Sequence, residues 1–163
     1  MLKGTLLKLF LLCLTGKILK VHCHLPEKYH VVPHSDTWFG AYAYCKTIGM
    51  NLATINSAEE QKQIVKTIKD SSVYSPKHDA NLMVWIDATR VSKQSKVQWF
   101  REAKPLVYSN WGGPEPDDTM DCVHMWNNPS FGLAFVWKIG TCSYKMPFVC
   151  ETSTSDTDCI QTF

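Results

Sequence analysis

Apolar residues recur along this chain at helical spacing before residue 72 and at strand spacing after it. Trp38, Ala41, Cys45 and Ile48 fall three or four residues apart, which predicts an amphipathic helix over residues 35–49. Ser35 or Asp36 is positioned to cap it and Gly49 to stop it. Ser57-Ala58-Glu59-Glu60 has the form of a capping box and starts a second helix. Ile64, Val65 and Ile68 form its apolar stripe, and it ends before Asp70-Ser71-Ser72. Beyond that point the apolar runs are short. Met83–Ile86, Val97–Phe100, Cys122–Trp126, Phe131–Trp137 and Pro147–Glu151 read as strands. Between them, residues 104–121 hold Pro105, Gly112, Gly113, Pro114 and Pro116, the composition of a long loop. Two helices followed by several short strands predict an α+β domain.

The first residues carry a different signal. Lys3 and Lys8 precede the apolar stretch Leu9–Leu14, and Lys17 and Lys20 follow it closely. That is the order of a secretory leader, too short to span a bilayer. We place the signal peptide at 1–23, with cleavage after Gly16 as the alternative, the domain at 24–151 and a flexible Ser/Thr/Asp-rich tail at 152–163. The whole chain has formal net charge +2. The leader takes four of its 17 basic residues and leaves 13 against 15 acidic ones, or −2. No basic footprint for nucleic acid remains, and no later segment reads as a membrane span. The expected location is extracellular.

Seven cysteines stand at 13, 23, 45, 122, 142, 150 and 159, with no Cys-x-x-Cys pair. In an exported chain they read as disulfides rather than metal ligands. Cys45, Cys122, Cys142 and Cys150 allow three pairings among themselves. Cleavage after Cys23 would leave Cys159 odd, and an odd secreted cysteine implies a disulfide-linked dimer through Cys23 or Cys159.

The four inner cysteines, in order, resemble the frame of the C-type-lectin-like domains. Val84-Trp85-Ile86-Asp87 stands where that family has its Trp-Ile-Gly-Leu strand. Trp111-Gly112-Gly113-Pro114-Glu115-Pro116-Asp117 stands where it has Trp, Gly and a Glu-Pro-Asn triplet. The match covers about residues 28–151. The leader, the single domain and the run Gly49–Ile55 are similar to the small secreted C-type lectins of insects. The resemblance implies pairs Cys45–Cys150 and Cys122–Cys142, a Cys23–Cys159 tie between the chain ends, and a disulfide-stapled fold with two helices flanking short antiparallel strands and a long ligand loop. It also implies a secreted binding protein of glycan pattern recognition, as in innate immunity.

In sugar-binding members of the family a Ca²⁺ ion carries the ligand. Glu115 matches its first carboxylate, and Asp117 replaces the Asn of the triplet. The three other ligand positions hold Met120, Lys138 and Ile139. Met120 and Ile139 offer no oxygen, and Lys138 brings a cation that can pair with Glu115 or Asp117 in place of the ion. Asp118 and Asp121 match acidic positions of a second calcium site, whose slots near Arg90 and Gln94 do not match. Glu115, Asp117, Asp118 and Asp121 therefore read either as a cation site of another geometry or as a solvated acidic loop. The expected ligand surface is Trp111, Glu115, Asp117 and Lys138, with calcium absent or weakly held, and Trp126 and Trp137 as further stacking candidates. A calcium-independent protein-binding module is the competing expectation.

Catalysis is not expected. His30 and His34 have His-x-x-x-His spacing without a helix, and Gly112-Gly113 lacks the lysine of a phosphate loop. No Gly-x-Ser-x-Gly elbow occurs. Asn128-Pro129-Ser130 carries the proline that excludes N-glycosylation.

Overall fold

The computed structural model describes residues 27–75, 81–92, 95–114 and 120–152. The leader, the tail, Cys23 and Cys159 lie outside the described residues. The elements run β1 (Tyr29–Asp36), α1 (Trp38–Thr47), β2 (Met50–Leu52), α2 (Ala58–Asp70), β3 (Leu82–Thr89), β4 (Gln98–Trp99), β5 (Lys104–Pro105), β6 (Cys122–Asn128), β7 (Leu133–Gly140) and β8 (Met146–Thr152). Strands β1, β8, β3, β4 and β5 are successive neighbours in one sheet. β2 pairs with β8, and β6 joins β3 to β7. All ladders are antiparallel except β3 with β8, which meet in parallel at Trp85 and Phe148.

Alternation along β3 divides the core in two. Val84 and Ile86 face one cluster, with Ile64 and Ile68 of α2 and with Val123, Met125 and Trp137. Trp85 faces the other, with Trp38, Ala41 and Cys45 of α1 and with Phe148. The two indoles of this second cluster keep hydrogen bonds: Trp38 Nε1 donates to the Ile86 carbonyl at 2.9 Å, and Trp85 Nε1 to the Asp36 carbonyl at 3.1 Å.

Several elements differ from the sequence expectation. Asp36 ends β1, so the cap of α1 is Thr37, whose hydroxyl accepts from Gly40 N–H at 3.1 Å. Gly49 lies just past α1 at φ +74°, as a helix stop requires. Ser57 accepts from Glu60 N–H at 3.2 Å, but the Glu60 carboxylate reaches back to Asn56 N–H at 2.7 Å rather than to the cap residue. Lys104 and Pro105 form β5 against β4 instead of opening the long loop. A 3-10 turn over Pro129–Phe131 delays β7 to Leu133. β1 and β2 were not anticipated. Pro33 and the polar residues around it obscure β1, and the proline falls where the β1–β8 register shifts, a place where its missing N–H costs little.

Cys45 is bonded to Cys150 and Cys122 to Cys142, with Cα–Cα separations of 5.6 and 5.1 Å. The first bridge ties α1 to β8, and the second ties the start of β6 to the segment after β7.

Candidate functional site

The long loop runs from β5 to β6 and passes alongside β7 at Trp111. The β6–β7 ladder places His124 opposite Lys138 and Trp126 opposite Val136 on one face. Met125 and Trp137 point to the opposite, core face. Trp137 is fully buried. Its ring meets the edges or faces of Trp99, Tyr108 and Trp111 at centroid distances of 5.5–5.8 Å. It cannot stack on a sugar, so that expectation is corrected. Trp126 is partly exposed, and its Nε1 donates to Asn81 Oδ1 at 2.6 Å.

Trp137 organises the loop through its backbone. Its N–H donates to the Asn110 carbonyl at 2.7 Å, and its carbonyl accepts from Gly112 N–H at 3.0 Å. These bonds lay Trp111 parallel to β7 and fix the first end of the loop. At the other end the Asp121 carbonyl accepts from Arg90 N–H and from the Thr89 hydroxyl, both at 2.7 Å. The Cys122–Cys142 bridge follows immediately. Both loop ends are thus held by hydrogen bonds to the loop backbone.

Lys138 occupies the entrance. A Cβ on Gly112 would stand 2.4 Å from Val136 Cγ2 and 3.1 Å from Lys138 Cε, so only glycine lets the loop cross there. The Lys138 ammonium lies 3.4 Å from where a Cβ on Gly113 would be. A positive charge therefore sits against the backbone that leads into residue 115. Of the residues expected to form the site, Trp111, Lys138 and the exposed Asp121 are described. Trp111 packs against Trp137 and Lys138 lies beside Gly112 and Gly113, while Glu115, Asp117 and Asp118 lie outside the described residues. Among the described residues no group of three or more His, Cys, Asp or Glu side chains could hold a metal ion.

His124 is buried beside this entrance, with its ring edge-on to Trp85 at 5.6 Å. Burial first, and the Lys138 charge second, bring its pKa down to about 4, so the imidazole is neutral near pH 7.

The residue that sequence reasoning missed is Gln61. It lies at 61 in the stripe continued by 64, 65 and 68, a polar residue on an apolar helix face, and that pattern is its signal. Gln61 Oε1 accepts from Trp137 Nε1 at 2.9 Å, and Gln61 Nε2 donates to the Phe135 carbonyl at 2.8 Å. Gln61→Leu strands a buried indole N–H. We expect it to lower unfolding stability by about 2 kcal/mol, read by urea titration; an unchanged midpoint would show that the bond contributes nothing.

Residues 34–152 match the model of the lectin C-type domain. The chain belongs to the C-type lectin family. It is 31% identical to salivary C-type lectin 2 of Aedes albopictus over 79% of this chain and 85% of the relative. It is 30% identical to C-type lectin 16 of Aedes aegypti over 70% of this chain and 74% of the relative. Human lithostathine shares the fold at a TM-score of 0.65 and 22% identity, covering 85% of this chain and 92% of that one. A Ca²⁺-independent C-type lectin of Saxidomus purpuratus does so at the same TM-score and identity, covering 78% and 87%. As a C-type lectin domain, the chain is a binding protein and not an enzyme. Among the described residues no helix is long and apolar enough to cross a membrane.

Proposed function

We propose that this chain is a secreted C-type lectin that recognises glycans in innate immunity without the calcium ion that sugar-binding members of the family use. The observation that carries this reading is Lys138, whose ammonium lies at the loop entrance where the family resemblance places a calcium ligand. At about 4 Å and an effective dielectric near 20, one unit-charge pair is worth roughly 4 kcal/mol, so a lysine there opposes a divalent cation strongly. Met120 and Ile139 add no side-chain oxygen, while Ca²⁺ takes six to eight. In this reading the same ammonium pairs with Glu115 or Asp117 and stands in for the ion. Calcium independence occurs on this fold, in the Saxidomus lectin. In this reading residues 1–23 are the leader, 24–151 the binding domain and 152–163 the tail.

A glycan array run with and without EDTA tests it. Spots bound by the mature protein should keep their intensity within about twofold in EDTA, and Lys138→Ala should lose them. Micromolar Ca²⁺ affinity in calorimetry, abolished by Glu115→Ala, would sink the proposal. A second reading, a lectin-like module for a protein partner, is favoured by Met120, Lys138 and Ile139 at the positions where the family resemblance places calcium ligands. An array with no bound glycan in either buffer selects it. Non-reducing electrophoresis then tests a dimer through Cys23 or Cys159: a monomer band with no free thiol rules the dimer out.

A further inference from the structure

A second surface lies on the flank of α2, beside the first end of the long loop at Asn110. Lys62, Lys66 and Lys69 are spaced four and three residues apart, so they line one side of the helix over about 10 Å. With Asp70 they rim an open cleft of about 460 Å³ between α2 and the start of β7, three cations against one carboxylate. Val65, Ala134 and Phe135 give the cleft an apolar lining. The wall is rigid, because the Phe135 carbonyl accepts from both Gln61 Nε2 and Asn110 Nδ2, at 2.8 and 3.1 Å.

The lysines are available. Lys62 and Lys66 are 77% and 80% exposed, and meet Glu59 at 3.9 Å and Asp70 at 2.5 Å. Exposed pairs of this kind are screened by solvent, so an incoming anion exchanges for them at little cost. The Lys69 ammonium stands 5.5 Å from the Phe135 ring centroid, and meets no carboxylate within 4 Å among the described residues.

We propose that this cleft binds a sulfated glycan chain, its sulfates on Lys62, Lys66 and Lys69 and a sugar C–H face against the apolar lining. Three cations in a row along an open cleft suit a ligand with repeated charges. A fatty acid presents one charge and needs an enclosed tunnel. A peptide backbone needs free hydrogen-bonding groups, whereas the amides of Gln61 and Asn110 are already committed to Phe135 and Trp137. The inference takes only its ligand class, glycans, from the proposed function, because the two surfaces share no residue.

Retention on immobilised heparin tests it. The mature protein should bind at 0.15 M salt, and fully desulfated heparin should not compete. Lys62→Ala/Lys66→Ala/Lys69→Ala should weaken binding at least tenfold and flatten the slope of log affinity against log salt by about 2–3. The matching arginine triple should retain binding. So should Lys96→Ala/Lys104→Ala/Lys145→Ala, which makes the same change in net charge, and so should Lys138→Ala. An α2 alanine triple that binds within twofold of the parent overturns the proposal. So does equal competition by desulfated heparin, or displacement of heparin by dodecanoate. Loss of neutral-glycan binding on the array, with heparin binding intact, would strike the loop reading alone.

Discussion

Replacing Cys45 and Cys150 together by alanine should lower stability by about 4–5 kcal/mol and the melting temperature by on the order of 15 °C. The bridge joins residues 105 apart in sequence, so breaking it frees a loop that spans most of the domain. Restraint of the unfolded chain grows with the logarithm of loop length. The Cys122–Cys142 bridge closes only 20 residues, for which the same reasoning gives about 3 kcal/mol. Both cysteines of the first bridge are fully buried among Trp38, Leu52 and Phe148, so the double alanine variant also loses packing. Thermal unfolding of the two double variants under identical conditions checks this. Equal losses, or a larger loss for Cys122→Ala/Cys142→Ala, would contradict the loop-length account. The second bridge should instead matter most for the ligand loop, whose returning end it holds.

The parts of this fold that sequence shows are those whose signal is local or carried by rare residues. The cysteine frame and Val84-Trp85-Ile86 identify the family, and the α2 stripe is visible in any helical projection. β1 is not, because its residues are strand-forming only in the company of β8, more than 110 positions away, and Pro33 masks the period. At the site, Lys138 can be read from the sequence, since a cation at a ligand position is a change of charge. Gln61 is marked only as a polar residue in an apolar stripe, and Asn110 carries no such mark. They act on Phe135 and Trp137 across 25 to 76 residues, and only the packed structure shows which backbone groups need them. The steric demand at Gly112 is equally non-local, because it comes from Val136 and Lys138.

Asp87→Asn should stabilise the protein above pH 7 and leave it acid-sensitive, while His124→Phe should do the reverse. Asp87 takes the place of the glycine in the family's Trp-Ile-Gly-Leu strand and is fully buried. Arg101 N–H reaches its Oδ2 at 3.2 Å, but Oδ1 has no partner. Burial pushes its pKa up to about 7, against the pull of the Arg101 N–H and charge; the Glu151 carboxylate adds to the rise and Lys46 opposes it. A raised carboxyl pKa gives stability that is complete below pH 3.8 and is lost as pH rises through 7, about 4 kcal/mol in all. Glu151 is also raised, chiefly by burial, and acts in the same sense. His124 works the other way. Its pKa is depressed from 6.5 to about 4, so its contribution is complete above pH 6.5 and is lost as pH falls through 4, about 3 kcal/mol in all. The Asp87 and His124 titrations oppose each other across one window, and Glu151 tilts the parent toward a shallow loss of stability as pH rises from 4 to 7. Removing either group exposes the other. Asparagine keeps the shape of Asp87 without the charge, and phenylalanine keeps the ring against Trp85. Melting temperatures from pH 4 to 8 should therefore rise with pH for Asp87→Asn and fall with pH for His124→Phe. Parallel profiles for the parent and both variants would show that neither group titrates in the folded core.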